Sequence, residues 1–442
     1  MLLDVAAFAA SVSLTGVSEA FGVHEINAQV ISHVQQVDIS PTTVPDAPQF
    51  SVPAPQSRVD PTLLPQLGGR ALLDQLSLID ADSLAAFVST HPATLNQLLQ
   101  NPIPAKQVTA WWNGLSTIGQ ETMLSSAPHV VGNLGGVPFE VRDAANRQYL
   151  RQSLVKLKHE LAARPGRAAS AGVRGHLHTL DEISKAVTVA PGQPHRTLVA
   201  LDTGSPPRAA IVIGDVATAD YVSYMVPGMF FTIDGQVGDW ADTATDLYRE
   251  QVAWLKRFAA TDASLQGKTV ATVAWIGYET PHLLTVGSLD LAYQGAEYLT
   301  EDIEALQSLR RGNEPFVSVI GHSYGSTAAM IALQRRAFQI DAFAVVGSPG
   351  SAAQSVSELD VRDGNMYVGE AAWDPVVNTA FYGSDPGAPS YGAHPMSVDG
   401  GTDPITHRPL GASYGHNEYF DVGSESLRNL ALIGIDKGAF VS

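Results

Sequence analysis

The chain has 442 residues, of which 45% are hydrophobic and 16% are charged, and its formal net charge is −18. This composition is typical of a soluble globular protein with two or three domains, and it excludes broad disorder. The acidic surface disfavours nucleic acid and anionic membranes as partners, and the absence of cysteine excludes disulfides, thiolate metal sites and a cysteine nucleophile.

Residues 1–65 predict an apolar helix followed by a connector. The first 25 residues lack a basic segment and carry Asp4 and Glu19, so we interpret them as part of a buried helix rather than as a signal peptide or a membrane span. Seven prolines between positions 40 and 65 indicate an extended, semi-rigid connector. No later stretch is apolar over a membrane's width, so we expect no stable membrane insertion, and the cellular compartment stays open.

Residues 66–190 predict an α-helical region. Apolar residues recur there at helical spacing, for example at Leu150 and Leu154. A cofactor site could explain the tandem Trp111-Trp112, but we interpret both rings as core packing against the second domain.

The boundary of this region is predicted within residues 164–193, whose composition indicates a loop followed by a short helix. His176 and His178 lie in this stretch, but two histidines without a third ligand in register do not define a metal site. We therefore expect them on a surface loop, and the sequence predicts no metal and no cofactor.

Residues 191–442 predict a catalytic domain in which strands alternate with helices. A hairpin is expected from residues 197–201 and 209–213. Further strands and helices are predicted at 221–226, 240–258, 269–275, 292–306, 316–320, 342–346, 366–369 and 424–435. Because successive parallel strands need crossover connections, the predicted fold class is α/β, with a mostly parallel sheet covered by helices and an antiparallel hairpin at its start.

One stretch has the pattern of a strand, a sharp turn and a helix. An apolar run at 316–320 leads into Gly-His-Ser-Tyr-Gly at 321–325, and an alanine-rich helical pattern follows. Small residues on both sides of Ser323 would permit the strained turn that lifts a serine hydroxyl out of a sheet. Ser323 is therefore the candidate nucleophile, with an inert structural turn as the alternative.

A serine nucleophile needs a general base, usually histidine, and a carboxylate that fixes the base. In the chain order serine, acid, histidine, Asp374 follows a predicted strand and His416 precedes the last helix, so they are the candidate acid and base. His322, next to the nucleophile, is expected to pack or to form a hydrogen bond. The rivals that the sequence leaves open are Glu370, Asp385, Asp399, Asp403 and His407.

Acyl transfer also requires backbone N–H groups that stabilise an oxyanion. The amide of Tyr324, at the start of the helix after the turn, is the first predicted donor. Gly228 would let an earlier loop bend close to the serine, so the amide of Met229, or of Phe230 beside it, is the second. An ordinary strand-end turn is the alternative for this loop.

An apolar substrate site is predicted from Phe230, Phe231 and Trp373, which lie close to the candidate site in the sequence. The glycine-rich segment 381–413 is long and poor in regular structure. It predicts either a lid over the site or a loop that fills a gap between domains.

Several motifs occur in a fixed order: MVPGM, VIGHSYGST around Ser323, GSPG after the next strand, WDPV around Asp374 and HNEY from His416. Together with an upstream helical segment at 130–150, they resemble an actinobacterial α/β-hydrolase family once catalogued as a domain of unknown function. The resemblance covers about residue 104 to the C-terminus. It implies an α/β-hydrolase fold with Ser323, Asp374 and His416 as a triad. In that family small residues tend to follow PGM, whereas two phenylalanines follow here.

The primary hypothesis is a serine hydrolase that cleaves a small-molecule or lipid-like carboxylic ester through an acyl-enzyme. Acyl transfer to an alcohol or amine would use the same triad and is one alternative. A binding module that kept the fold without the chemistry is the other. The acyl group, the leaving group and the oligomeric state stay open at this point.

Overall fold

The computed structural model describes residues 62–163, 166–204, 207–229, 233–281 and 285–442. The predicted N-terminal helix and all but the end of the proline-rich connector lie outside these ranges. Among the helices described, none is both long enough and apolar enough to cross a membrane.

Eight α-helices of the described residues precede the sheet, and the first six have a core of their own. These six are α1 (Gly69–Leu76), α2 (Ala81–Thr90), α3 (Pro92–Gln100), α4 (Ala105–Gly114), α5 (Thr117–Ser126) and α6 (Pro128–Asn133). Trp111 and Trp112 are buried in this core. The tandem tryptophans are therefore core residues, but they pack within the helical region.

Between residues 164 and 193 the sequence predicted a loop followed by a short helix, and the loop is wrong for most of that stretch. Helix α8 (Arg167–Ala186) covers most of it, and α7 (Phe139–Ala162) ends just before it. Alanine, arginine and leucine have high helix propensity, and Leu180 and Ile183 bury an apolar stripe of α8 in the core of the sheet. His176 and His178 consequently lie on a helix rather than on a loop.

An eight-stranded sheet follows, with the order β1-β2-β4-β3-β5-β6-β7-β8. The pairs β1-β2 and β2-β4 are antiparallel and the remaining pairs are parallel, which confirms the predicted sheet and its hairpin. The strands are β1 (Arg196–Asp202), β2 (Arg208–Gly214), β3 (Tyr221–Val226), β4 (Val270–Ile276), β5 (Phe316–His322), β6 (Ala342–Val346), β7 (Met366–Gly369) and β8 (His394–Pro395). A separate ribbon pairs β9 (Gly401–Thr402) with β10 (Pro409–Leu410).

Helices cover both faces of the sheet. Those that follow β1 in the chain are α9 (Ile233–Phe258), which begins earlier than predicted, α10 (Asp290–Leu309), α11 (Tyr324–Gln334) and α12 (Glu425–Ile433). Successive residues of a strand point to opposite faces, so Val319 packs in the core under α10 and α11 while Ile320 packs in the core under α9 and α12. Because both faces are buried, the central strands are mostly apolar, and their few polar residues, Ser223, Thr272 and Ser318, are buried as well.

The register of the parallel strands brings four strand ends to one edge of the sheet. Val226 at the end of β3 pairs with Gly321, and His322 at the end of β5 pairs with Val346. Val346 at the end of β6 pairs in turn with Gly369 at the end of β7. The loops that follow these strands therefore start side by side, at the edge where open α/β sheets bind their ligands.

The segment 381–413 is hydrogen-bonded to the sheet and to the loop after β6. The amide of Ser384 donates to the carbonyl of Ser351 at 2.7 Å, and the amide of Met396 donates to the carbonyl of Val368 at 2.8 Å as β8 joins the sheet. These bonds favour the gap-filling alternative over a free lid.

Candidate active site

Ser323 occupies a sharp turn between β5 and α11. Its backbone angles are φ +54° and ψ −133°, a strained conformation for a residue with a side chain. The Ser323 amide donates to the carbonyl of Val346 at 3.0 Å, which ties the turn to β6. A Cβ atom at Gly321 would lie 2.6 Å from the Cα of Ser326, so the turn requires glycine there.

The structure brings the three predicted catalytic side chains together. The Oγ of Ser323 lies 2.7 Å from Nε2 of His416. Nδ1 of the same ring lies 3.0 Å from each carboxylate oxygen of Asp374. With Nδ1 donating to the carboxylate, Nε2 is left as the acceptor for the serine hydroxyl, which is the tautomer that a general base needs.

Asp374 is a buried carboxylate that receives several hydrogen bonds. The hydroxyl of Tyr419 donates to its Oδ2 at 2.6 Å, and the amide of Val376 donates to its Oδ1 at 2.9 Å. Burial by itself raises the pKa of Asp374, but the hydrogen bond and the charge of His416, with the bonds from Tyr419 and Val376, outweigh burial and hold the pKa below its ordinary value. The group is therefore ionised at neutral pH.

His322 holds the backbone of the candidate base. Its Nε2 lies 2.8 Å from the carbonyl oxygen of His416, and because a carbonyl only accepts, this nitrogen carries the hydrogen. Burial, with the neighbouring His416, lowers the pKa of His322 to about 3, so the ring is neutral at physiological pH. This contact agrees with the hydrogen-bonding role expected for His322, although the sequence could not identify the partner.

The loops that carry the acid and the base are joined directly. The amide of Gly415 donates to the carbonyl of Ala372 at 2.8 Å, within a short bridge between Ala372 and Tyr414. Asp374 and His416 therefore do not depend on their side-chain contact alone to stay adjacent.

The two predicted oxyanion donors belong to the first residue of α11 and to the loop after β3, which packs against the turn at Ser323. Within the described part of the chain, the amides of Tyr324 and Met229 donate to no protein acceptor. The Tyr324 hydroxyl donates to the carbonyl of Ser288 at 2.8 Å and accepts from the amide of Ala292 at 2.9 Å, which fixes the start of α11. No sequence pattern indicated this second role for the Tyr324 side chain.

The remaining predicted residues are placed less centrally. Phe230 and Phe231 lie outside the described residues, so their prediction stays open. Trp373 is 89% exposed on the loop that carries Asp374, with φ +63°. Among the rivals, Asp403 forms a buried ion pair with Arg428 at 2.7 Å, and His407 is exposed in the turn between β9 and β10.

No group of three histidine or acidic side chains within the described ranges is arranged to hold a metal ion.

Glu370 is the nearest acidic rival to Asp374 in the sequence. It is half-buried, and burial together with the negative charges of Asp385 and Asp374 raises its pKa to about 7.

A family profile described as "Alpha/beta hydrolase" matches residues 202–384, which include the turn at Ser323. The uncharacterized protein Mb0988c of Mycobacterium bovis is 30% identical over 213 residues, covering 47% of this chain and 76% of that protein. Together with the sheet order and the strand-turn-helix geometry, these similarities define an α/β-hydrolase fold. The chain belongs to the alpha/beta hydrolase family.

A longer relative aligns over more of the chain. The uncharacterized protein Rv2079 of Mycobacterium tuberculosis is 27% identical over 398 residues, which cover 78% of this chain. The chain spans 58% of the length of that relative.

Among solved structures, the chain is similar to carboxyl esterase 2 of the mycorrhizal fungus Tuber melanosporum. That similarity has a TM-score of 0.34 at 12% identity and covers 58% of this chain and 89% of that one. The hyperthermophilic esterase of the archaeon Pyrobaculum calidifontis has a TM-score of 0.33 at 14% identity and covers 67% and 98% of the two chains.

Proposed function

We propose that this protein is a serine hydrolase that cleaves carboxylic esters through an acyl-enzyme intermediate. The observation that carries the proposal is the continuous chain of contacts from Ser323 through His416 to Asp374, with 2.7 Å at the serine and 3.0 Å at the carboxylate. A hydroxyl in such a chain can lose its proton while its oxygen attacks a carbonyl carbon.

In the acylation step, Nε2 of His416 accepts the proton of Ser323 as Oγ forms a bond to the ester carbon. The carbonyl oxygen becomes an oxyanion, and the ionised Asp374 stabilises the imidazolium that has formed. When the tetrahedral intermediate collapses, the bond to the alkoxy group breaks. His416 returns the proton to this oxygen, an alcohol leaves, and the acyl group remains on Ser323.

Deacylation repeats these events with water. His416 takes a proton from the water as its oxygen attacks the acyl carbon, and the proton then returns to Oγ of Ser323 as the carboxylic acid is released. In both steps the amides of Tyr324 and Met229 are proposed to donate to the oxyanion. The position of the Tyr324 amide at the N-terminus of α11 supports this role, because a helix N-terminus favours negative charge.

The proposed substrate is a small-molecule or lipid-like ester. Phe230, Phe231 and Trp373 are proposed as its apolar contacts. Because Trp373 is exposed on the outer side of the Asp374 loop, it would contact the part of a substrate that extends away from the scissile bond.

Hydrolysis of p-nitrophenyl esters of increasing chain length tests the proposal. We expect measurable turnover by the wild type, and a loss of about 10⁴-fold or more in kcat for Ser323→Ala. Ser89→Ala, on the exposed surface of α2, is the matched control and should retain wild-type rates. A wild type no faster than buffer, or a Ser323→Ala variant as fast as wild type, would instead favour a binding module without chemistry.

An alcohol acceptor added to the same assay separates hydrolysis from acyl transfer. If water is the acceptor, the carboxylic acid accounts for nearly all product at millimolar acceptor. A transesterified product that dominates at such concentrations would assign the chain to the acyltransferases, because it would require a site that binds the acceptor.

A further inference from the structure

One buried hydroxyl beside the candidate triad has no part in the mechanism described above. Tyr419 is fully buried and lies three residues after His416 on the loop that carries the base. Its oxygen accepts a hydrogen bond from the amide of Ala371 at 2.9 Å and donates one to Oδ2 of Asp374 at 2.6 Å. The hydroxyl thus links the backbone just after β7 to the carboxylate.

We propose that Tyr419 is a positioning residue for the reaction: its hydroxyl, held by the amide of Ala371, fixes the carboxylate of Asp374 in the orientation that His416 requires. The role in catalysis rests on the proposed serine hydrolase function, whereas the positioning itself does not.

The geometry at Asp374 explains why such a residue is needed. Nδ1 of His416 is equally distant, at 3.0 Å, from both carboxylate oxygens, so its contact alone does not fix rotation of the carboxylate. The amide of Val376 holds Oδ1 and the hydroxyl of Tyr419 holds Oδ2. With one oxygen held from each side, the carboxylate can rotate only by losing a hydrogen bond.

The chemistry of a phenol suits this place. A neutral donor stabilises the carboxylate without adding a positive charge that would compete with the imidazolium formed on His416. Burial and the charge of Asp374 raise the pKa of Tyr419 well above its ordinary value, so the hydroxyl remains a donor throughout the working pH range. Besides His416, the titratable groups that act on Asp374 or Tyr419 are Glu370, directly after β7, and His322 at the end of β5.

Tyr419→Phe removes a single oxygen and tests the proposal. We expect kcat for a p-nitrophenyl ester to fall about 10-fold to 100-fold with KM within twofold, because misplacement of a supporting group slows chemistry without changing substrate contacts. The acid limb of the kcat/KM profile should move to higher pH, since a carboxylate that has lost a donor attracts the imidazolium more strongly. Tyr391→Phe is the matched control, because Tyr391 is also buried but its hydroxyl contacts Met330 Sδ at 3.4 Å.

A second readout does not depend on catalysis. In protein labelled at histidine, the NMR signal of His416 is assigned by its loss in His416→Gln, and its titration midpoint is compared in wild type, Tyr419→Phe and Tyr391→Phe. We expect the midpoint to rise in Tyr419→Phe alone. If the wild type hydrolyses no ester, the proposed function has failed, but the titration midpoint of His416 still shows whether Tyr419 positions the carboxylate of Asp374.

The proposal is overturned if Tyr419→Phe keeps the wild-type midpoint, or if Tyr391→Phe changes rate and midpoint to the same extent. Should Tyr419→Phe not fold, as judged by circular dichroism, the wild type supplies the test. A short bond to a carboxylate should give the Tyr419 hydroxyl proton a downfield, slowly exchanging NMR signal. That signal must shift in Asp374→Asn, and an unchanged or undetectable signal would rule the bond out.

Discussion

The close approach between the β3 loop and the candidate nucleophile can be tested at one atom. Gly228 packs against the turn so tightly that a Cβ atom added to it would lie 2.3 Å from Cβ of Ser323 and 2.9 Å from Oγ. The carbonyl oxygen of His322 would be 3.0 Å away. Since carbon atoms in contact normally lie about 3.5 to 4.0 Å apart, Gly228→Ala must separate the loop from the turn by about 1 Å or more.

That displacement has two expected consequences. Overpacking of a rigid site typically destabilises a protein by about 1 to 3 kcal/mol, and two of the neighbouring atoms, Cβ of Ser323 and the carbonyl oxygen of His322, cannot rotate away. A shift of about 1 Å in a catalytic group costs about 10²-fold in rate, so kcat/KM for a p-nitrophenyl ester should fall by about that factor. Urea unfolding and steady-state kinetics measure the two effects.

Gly238→Ala provides the matched control. Gly238 lies within α9, and a Cβ atom there would have nothing within 4 Å. Alanine at such a position should leave the rate unchanged and raise the free energy of unfolding by up to about 1 kcal/mol. Wild-type stability and activity in Gly228→Ala would refute the close approach on which the oxyanion site depends.

Two further predictions concern the charges of the site. Asp374→Asn should lower kcat by about 10³-fold to 10⁴-fold with little change in KM, because a neutral amide does not stabilise the imidazolium and can donate to Nδ1, which favours the wrong tautomer. Steady-state kinetics on a soluble ester measure this, and a loss below tenfold would contradict it. His322 has a folded-state pKa of about 3 against 6.5 in the unfolded chain, so its contribution to stability is complete above pH 6.5 and is lost as the pH falls toward 3. His322→Gln keeps a donor for the carbonyl of His416. Between pH 6.5 and pH 4, its free energy of unfolding in urea should fall by about 3 kcal/mol less than that of the wild type. Equal decreases in the two proteins would show that His322 is not buried as a neutral ring.

Much of the fold was predictable because the sheet is buried on both faces. Runs such as 316–320 and 342–346 are short, mostly apolar and bounded by proline, aspartate or glycine, which is the pattern typical of a strand buried on both faces. The stretch 164–193 was misjudged because its glycines and arginines suggest a loop. The helix α8 forms because Leu180 and Ile183 pack against strands of the sheet. Those strands follow later in the chain, so the local sequence does not reveal this packing.

The candidate triad was predictable from chain order, but the groups that hold it were not. The bond between His322 and the carbonyl of His416 joins residues 94 positions apart, and that between Tyr419 and Asp374 spans 45. Nothing in the local pattern of either residue selects such a partner. The one available signal was the motif HNEY, which contains Tyr419 at a fixed distance after the histidine, but a motif without an alignment assigns no role.

The central claim is that Ser323 is an activated nucleophile, and covalent labelling tests it most directly. The wild type is treated with a fluorophosphonate, digested, and the adduct located by mass spectrometry, with Ser323→Ala and His416→Ala treated in parallel. We predict one adduct per chain, on Ser323, with no labelling of Ser323→Ala and strongly slowed labelling of His416→Ala. A wild type that stays unlabelled, or an adduct on a neighbouring serine such as Ser326 or Ser348 instead, would contradict the assignment.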